Sequence, residues 1–572
     1  MERLETKKIH GRTYYYYSRW AWVNGRCRRV WQKYLGKLEE IVKAVDGSGP
    51  APLYAEVFQF GLPTALWQQC QEAGVVELSD RICPKRKQGM STGEYLAVAA
   101  VNRAMQPRSK RSMREWFSQT TLLRHLPQGS AAALASQRFW DHMERIDADQ
   151  AGEIWKRVLQ GVLQRERWDL SAISYDGTNF YTFMDSFNAH SQLARRGKNK
   201  QGRSNLRQIS YALFCCQDGP LPLYWGLYEG NRTDVRQFPL MLARFHDFFR
   251  EISGGGAAPE TTLIFDKGNN SKKNFRLLDR LKMKFVGSVK LSEHKEWVEV
   301  SNRDARLAET GLEGTRAFRV RKRVYGRARI LVVTYNEHLF QAQWLTLQND
   351  LNKALGKLSL LQGRLRDRAE GLIRGGKTPT VDSVGRQCAR ILKRQYLKQV
   401  VQVRVEGGDG EVPTLHYQMD PQALHRISDT YLGKTLLITN RPEWDDSTII
   451  RAYRSQFVIE SVFQQTKDRH IGSWWPLHHW TDSKIRVHGL YCTIALLLRA
   501  VLLRRVQKAG VPLTMKRLLS ELDGIREVVN IYPKKRRDTK AKTQTVLTKT
   551  SDLQNRLLSI LELKKEEKTP LG

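Results

Sequence analysis

AISYDGTNFY, residues 172–181, opens the part of the chain whose reading decides the fold. The run is β-branched and aromatic, as are residues 208–217 and 221–228, and Asp218-Gly219-Pro220 supplies a turn between the last two. The three runs therefore predict an antiparallel meander. A helix over residues 234–250 follows, then an apolar strand at 261–265, a helix over 271–281 and a strand near 285–289.

Three antiparallel strands followed by alternating helix and strand is the order of a ribonuclease H-like α/β fold. Residues 291–432 interrupt it with short strands at 317–323, 328–335 and 399–405 and with helices over 340–374 and 379–397. The first of these helices repeats apolar positions from Trp344 through Leu347, Leu351, Leu355, Leu358, Leu361 and Leu365, and Gly375-Gly376 suits a helical hairpin. This reads as a mixed α+β insertion subdomain. A strand at 435–439 resumes the central sheet before a helix over 447–468.

Two aspartates fall where such a sheet presents ligands. Asp176 lies inside the first strand and is followed by Gly177; Asp266 ends an apolar strand and is followed by Lys267-Gly268-Asn269. The crevice beyond strand ends is where α/β sheets bind ligands, so the pair could share a metal. Each alone also reads as a turn dipeptide or a helix cap. In AYRSQFVIESVFQQTKD, residues 452–468, Tyr453, Glu460 and Lys467 recur at seven-residue intervals and share a helix face with Phe457. A carboxylate buried on that face needs a partner, either a metal or a base such as Lys467 or Arg454. Three carboxylates from two strands and one helix could bridge two hard cations about 3.5–4 Å apart, the arrangement of two-metal phosphoryl transfer.

The helix resembles the Y-x2-R-x3-E-x6-K signature of bacterial insertion-sequence DDE transposases, through Tyr453, Glu460 and Lys467, with Gln456 where the signature has arginine and Arg454 nearby. Further likeness, to the group with a long insertion in the catalytic core, lies in YLGK (34–37), YDGTNFYTF around Asp176, GKNKQGRSNLRQISYALF, GLYEGNRTD, IFDKGNNSKKNF around Asp266, GKTLLITN and RVHGLYCTIALLL. The resemblance implies a ribonuclease H-like core with Asp176, Asp266 and Glu460 as catalytic and metal-binding residues. It implies two Mg²⁺ ions per site, for which Mn²⁺ can substitute. It implies action on double-stranded DNA, both terminal inverted repeats and target, in a homodimeric synaptic complex, with cut-and-paste movement through hairpin ends. Tyr453, Arg454, Gln456 and Lys467 become DNA-contact candidates. In this family the insertion lies over the site, which makes Trp344, Arg364, Arg366, Arg368 and Arg374 candidates too, beside helix packing and a solvated face. The interval from the second aspartate to the glutamate is more than twice that between the aspartates, and the insertion accounts for it.

Composition agrees with a polyanionic partner. Ninety-five Lys and Arg face 58 Asp and Glu, for a formal charge of +37, and basic residues recur along the chain rather than on one amphipathic helix, which favours nucleic acid over a membrane surface. Seven cysteines show neither a C-x-x-C pair nor zinc-finger spacing. No signal peptide is read at the N-terminus, and the most apolar run, 489–498, is short of the ~20 residues that span a bilayer. The expectation is a bacterial cytoplasmic, nucleoid-associated protein.

The expected organisation is an N-terminal β-hairpin region (1–50), a helical DNA-binding domain (53–165), the catalytic domain (168–290 with 433–505), the insertion (291–432) and a C-terminal helical, basic tail (506–572). In the first region two strands meet at Asn24-Gly25, a two-residue hairpin turn. There Tyr14 to Tyr17, Trp20, Trp22 and Trp31 interleave with Arg19, Arg28 and Arg29, either to read a groove or as a small packed hairpin. Trp474, Trp475, His478, His479 and Trp480 suit base stacking or, better, core packing, and Lys534 to Arg537 a phosphate-binding tail or a solvated patch. A ribonuclease H-like nuclease without strand transfer and a non-catalytic DNA-binding protein are the rival readings.

Overall fold

The computed structural model describes the chain except at residues 24, 47–50, 86–88, 127–128, 199–201, 204, 254–259, 409, 469–473, 476, 534–541 and 564–572. The expected turn residue Asn24 and the basic run Lys534 to Arg537 lie outside the described residues. The chain divides into two compact units: Met1–Ala65 with Arg114–Ala131 and Arg505–Gly572, and Leu66–Met113 with Ala132–Arg504.

In the first unit β1 (Glu2–Ile9), β2 (Arg12–Val23) and β3 (Arg26–Gly36) form an antiparallel sheet in that order. The hairpin expected at residues 12–34 is present, and the charged N-terminus adds a third strand. His10 and Gly11, at φ 48° and 76°, make the paired left-handed turn whose twist matches flanking strands. The acids of β1 are the cross-strand partners: Glu2 binds Arg19 at 2.8 Å, and Glu5 accepts from Trp20 Nε1 at 2.7 Å and Ser18 Oγ at 3.1 Å.

The expectation of helix from residue 53 fails at its start. Residues Tyr54–Gln59 form β4, which pairs with Arg526–Ile531, itself paired with Thr543–Leu547. The expected C-terminal tail thus contributes two strands to a sheet, and the buried Glu527 carboxylate is met by Arg124. YAEVFQ and REVVNI each alternate side chains along a strand, and the sheet becomes apparent only when segments far apart in sequence meet.

In the second unit, α1 (Thr92–Met105) begins at a capping box in which Ser91 Oγ accepts from Glu94 N at 3.1 Å while the Glu94 carboxylate accepts from Ser91 N at 2.7 Å. Helix α2 (Ala148–Arg165) follows. The central sheet then runs through β5 (Ala172–Tyr181), β6 (Arg195–Arg196), β7 (Arg207–Cys216) and β8 (Pro222–Glu229) to α3 (Asp234–Ile252) and β9 (Thr262–Phe265). After α4 (Lys272–Arg280) come β10 (Lys284–Ser288), β11 (Ala308–Glu309), β12 (Thr315–Val324) and β13 (Arg327–Asn336), and further along the chain the paired strands β14 (Val401–Glu406) and β15 (Thr414–Met419). The strand order is β11-β12-β13-β16-β10-β9-β5-β7, with β6 and β8 both on β7 and β16 spanning Lys434–Thr439. Strands β5, β9 and β10 are parallel neighbours and the remaining pairs are antiparallel. This mixed α/β sheet is consistent with a ribonuclease H-like core. Strand β9, TLIF, is buried throughout, as a strand between two parallel neighbours requires.

Residues 291–432 are not one separate block. Strands β12 and β13 extend the central sheet through β16. A core of its own begins with α5 (Glu337–Ala369), which buries Leu347, Leu351, Leu358, Leu361 and Leu365 against Val384 and Cys388 of α6 (Val381–Ile391), with Leu397, Val401, Leu415 and Ile427. The leucine stripe is therefore core packing, and Trp344 leans on the same cluster.

The helix expected at 447–468 is two helices, α7 (Asp446–Arg454) and α8 (Phe457–Lys467). Ser455 Oγ donates to Ala452 O at 2.6 Å, and Val458 N donates to Ser455 O at 3.0 Å. These three-residue bonds tighten the backbone into a turn. Beyond it the Trp474 indole stacks on Phe180 at 4.6 Å, His488 receives His479 at 3.0 Å, and Trp475 is buried, so this part of the aromatic and imidazole cluster is core. The next helix, α9 (Asp482–Lys508), is the one among the described residues long and apolar enough to cross a membrane, and its apolar window is 94% buried.

Candidate active site

Strand register brings the two aspartates together. In the parallel β5–β9 pair, Ser174 faces Ile264 and Tyr175 faces Phe265, so the next step sets Asp176 beside Asp266 on strands about 4.8 Å apart. Tyr175 is buried against Phe214 and Phe238, and alternation along the strand turns Asp176 to the other face. Asp176-Gly177 is not a turn here: both residues pair with β7, opposite Leu213 and Ala212. Gly177 has a packing reason instead. A Cβ there would meet Tyr228 Oη at 3.0 Å and Asp234 Oδ1 at 3.4 Å, where the Tyr228 hydroxyl donates to Asp234 at 2.9 Å.

Asp266 does cap the short turn Lys267–Asn269, and its contacts fall on one oxygen. Oδ1 accepts from Lys267 N at 2.7 Å and from Ser288 Oγ at 3.1 Å, and Tyr453 Oη lies 3.5 Å away. Tyr453 donates more closely to Ser288 Oγ, at 2.9 Å, so the phenol reaches the carboxylate chiefly through the serine. Burial, then the charges of Asp266 and Glu460, push the Tyr453 phenol up to about 12, which keeps it a donor at neutral pH.

Glu460 departs from expectation. It is exposed in the first turn of α8, where the helix dipole favours an anion. The buried face of that helix carries Ile459, Val462, Phe463 and Thr466, and Phe457 is 66% exposed. The turn at Ser455 and Gln456 breaks the single helical face on which Tyr453 and Glu460 were expected. The two are nevertheless close enough for the Glu460 charge to act on the Tyr453 hydroxyl. Among the described residues no three His, Cys, Asp or Glu side chains are gathered to hold a metal ion. The aspartate pair, two hard carboxylates of which Asp266 takes its protein donors on Oδ1, fits a hard divalent cation in donor chemistry.

The remaining candidates separate. Lys467 ends α8, half-buried, and Gln456 occupies the turn. Arg454 turns away to donate to Thr315 Oγ1 of β12 at 2.8 Å. Arg19 and Arg29 lie on the three-stranded sheet paired with Glu2 and Glu5, and Arg28 is exposed on β3 opposite Ala21. Ser288 and Asp234 escaped sequence reading; a serine ending FVGS and an acid opening a helix carry no local signal of a shared site.

The family model of the transposase DDE domain matches residues 167–498. No curated protein matches the chain. Among solved structures, the crystal structure of the Mos1 mariner paired end complex with Mn aligns at 10% identity and a TM-score of 0.15, over 38% of this chain and 65% of that one. The chain therefore spans just under two thirds of that structure's length. With more than half of its residues inside the family match, the chain belongs to the transposase DDE domain family.

Proposed function

We propose that the protein is a DNA transposase of the group with the tyrosine, arginine, glutamate, lysine signature, which binds terminal inverted repeats and catalyses metal-dependent strand cleavage and strand transfer. The observation that carries the reading is the β5–β9 register, which sets Asp176 beside Asp266 at the C-terminal end of β9, in the interior of a mixed sheet. Asp176, Asp266 and Glu460 would hold two Mg²⁺ ions, with Glu460 completing the set as α8 settles against the DNA end. When bound, such ions activate the attacking oxygen and stabilise the leaving one.

The protein's own groups do the positioning. Lys267 N and Ser288 fix one oxygen of Asp266, and Tyr453, a permanent donor, fixes Ser288. Lys467 and Gln456 would meet the phosphates of the cleaved end, and Arg19, Arg28 and Arg29 the flanking duplex. The insertion subdomain narrows to residues 337–432, whose own core would let it form a wall over the site. Two ends processed together imply a homodimer in the synaptic complex.

The test is incubation with Mg²⁺ and a duplex carrying the inverted repeats that flank the gene. Cleavage and joining by the parent, with loss of both in Asp176→Ala and Glu460→Ala, is expected. Variants that cut as well as the parent would overturn the assignment, and cutting without joining would leave a nuclease.

A further inference from the structure

Past the C-terminal end of β5, the segment between Thr182 and Arg207 carries a surface that the chemistry above does not use. Phe187 is 93% exposed there, beside a cavity of about 220 Å³ lined by Ser186, Phe187, Arg195, Arg196 and Arg207. The backbone that presents the ring is tied down. Asp185 Oδ1 accepts from Phe187 N at 2.7 Å, Arg207 donates to Asn188 O at 2.7 Å and to Ser186 O, and Arg196 donates to Ser186 Oγ at 2.6 Å. Asn188 Nδ2 donates to Trp480 O at 2.8 Å, and the Asp482 carboxylate accepts from Ser191 Oγ at 2.7 Å and from Gln192 N and Leu193 N at 3.1 Å. The phenyl ring is thus held out in water by a built scaffold.

Its surroundings are cationic. Among the described residues Arg195, Arg196 and Arg207 form no ion pair; their bonds go to carbonyl, amide and hydroxyl oxygens. Trp480, 58% exposed, adds a second aromatic surface. An apolar protein partner would have little use for three uncompensated guanidinium groups around one ring. A nucleotide uses both parts, because any base has a face to stack on phenyl and its phosphates pair with guanidinium.

We propose that Phe187 with Arg195, Arg196 and Arg207 is a nucleobase site: an unstacked DNA base rests on the Phe187 ring while the guanidinium groups hold the phosphates beside it. The inference rests on the DNA reading above. Asp176 lies five residues, or about 17 Å, before the end of β5, so a base held here belongs to DNA that has run past the reacting phosphate.

The test measures binding by the full chain, without divalent metal, to two fluorescein-labelled 30-base-pair duplexes of one random sequence, one fully paired and one with two adjacent unpaired bases per strand. The parent should prefer the unpaired probe by about tenfold, the scale of one base–aromatic stack. Phe187→Ala should remove that preference and leave paired-duplex affinity unchanged, while Phe187→Trp keeps it. Arg196→Ala should weaken both probes alike and reduce the salt slope by about one. Equal binding of the two probes by the parent, or a preference that survives in Phe187→Ala, overturns this site and leaves the DNA reading standing. Failure to bind either probe overturns the DNA reading, and this site with it.

Discussion

Asp176 and Asp266 are held by one kind of structure and Glu460 by another. The aspartates stand on adjacent parallel strands, where the ladder fixes their separation and a one-residue slip would turn either to the opposite face. Glu460 stands exposed on α8, which restarts after a turn and is anchored by Ile459, Val462 and Phe463 on its other side. In the proposed site the strand half is set by folding itself, and the helix half would be completed by what binds.

The sharpest way to break this comparison is to remove one strand-borne acid. Asp266→Asn or Asp176→Asn is expected to lower Mg²⁺-dependent cleavage of an end-containing duplex by about 10³-fold or more while binding of the duplex persists. Cleavage within tenfold of the parent in either variant would show that the register pairs two structural acids only.

The helix acid should respond differently to a change of length. Glu460→Asp shortens an exposed side chain on a helix that can shift, and should cost about tenfold in cleavage with the melting temperature within about 1 °C of the parent. Asp176→Glu lengthens a side chain fixed by register, and should lose about 10²-fold or more, the cost of misplacing a reacting group by about an ångström. Equal losses in single-turnover cleavage would mean that both halves are equally preorganised.

The strand half also rests on a layer that senses pH. His488 is buried and His479 half-buried, and desolvation, then the nearby Lys110 and Arg103, hold both imidazoles below the usual histidine value. Depressed imidazoles leave the unfolded chain binding more protons below about pH 6.5, so stability is full above that pH and falls as the pH drops towards the depressed folded values. Each group would cost up to about 1.4 kcal/mol per pH unit in that window. Thermal melts between pH 7.5 and 5.5 should show the parent losing stability faster than His479→Gln. Parallel curves would refute the assignment of that slope to His479.

The strands of the aspartate half were legible, because β7 and β9 are largely apolar or aromatic runs and the two aspartates sit inside β5 and directly after β9. The sequence carried the helix half poorly. Seven-residue spacing in AYRSQFVIESVFQQTKD fits one continuous helix, and the deciding interaction, the Ser455 hydroxyl turned back on Ala452 O, is open to any serine and leaves no mark in the pattern. Long-range pairing was the other blind point. Strand β4 pairs with Arg526–Ile531, and β12 and β13 join the central sheet through β16, contacts that no local periodicity encodes.

The smallest expected effect falls on the turn between α7 and α8. Gln456 N donates to Tyr453 O at 3.2 Å and Glu460 N donates to Gln456 O at 3.2 Å, so its backbone links the main chain of Tyr453 to that of Glu460. Gln456→Arg restores the signature residue at a half-buried turn position rather than on a continuous helical face. Added there, one positive charge acts like a partly screened surface ion, worth about 0.2–1 kcal/mol. End-duplex affinity in fluorescence anisotropy should therefore tighten by about two- to fivefold, with the effect fading as salt rises. A gain of a hundredfold would mean that the arginine straightens α7 and α8 into one helix and carries Glu460 with it, which would erase the difference between the two halves of the site.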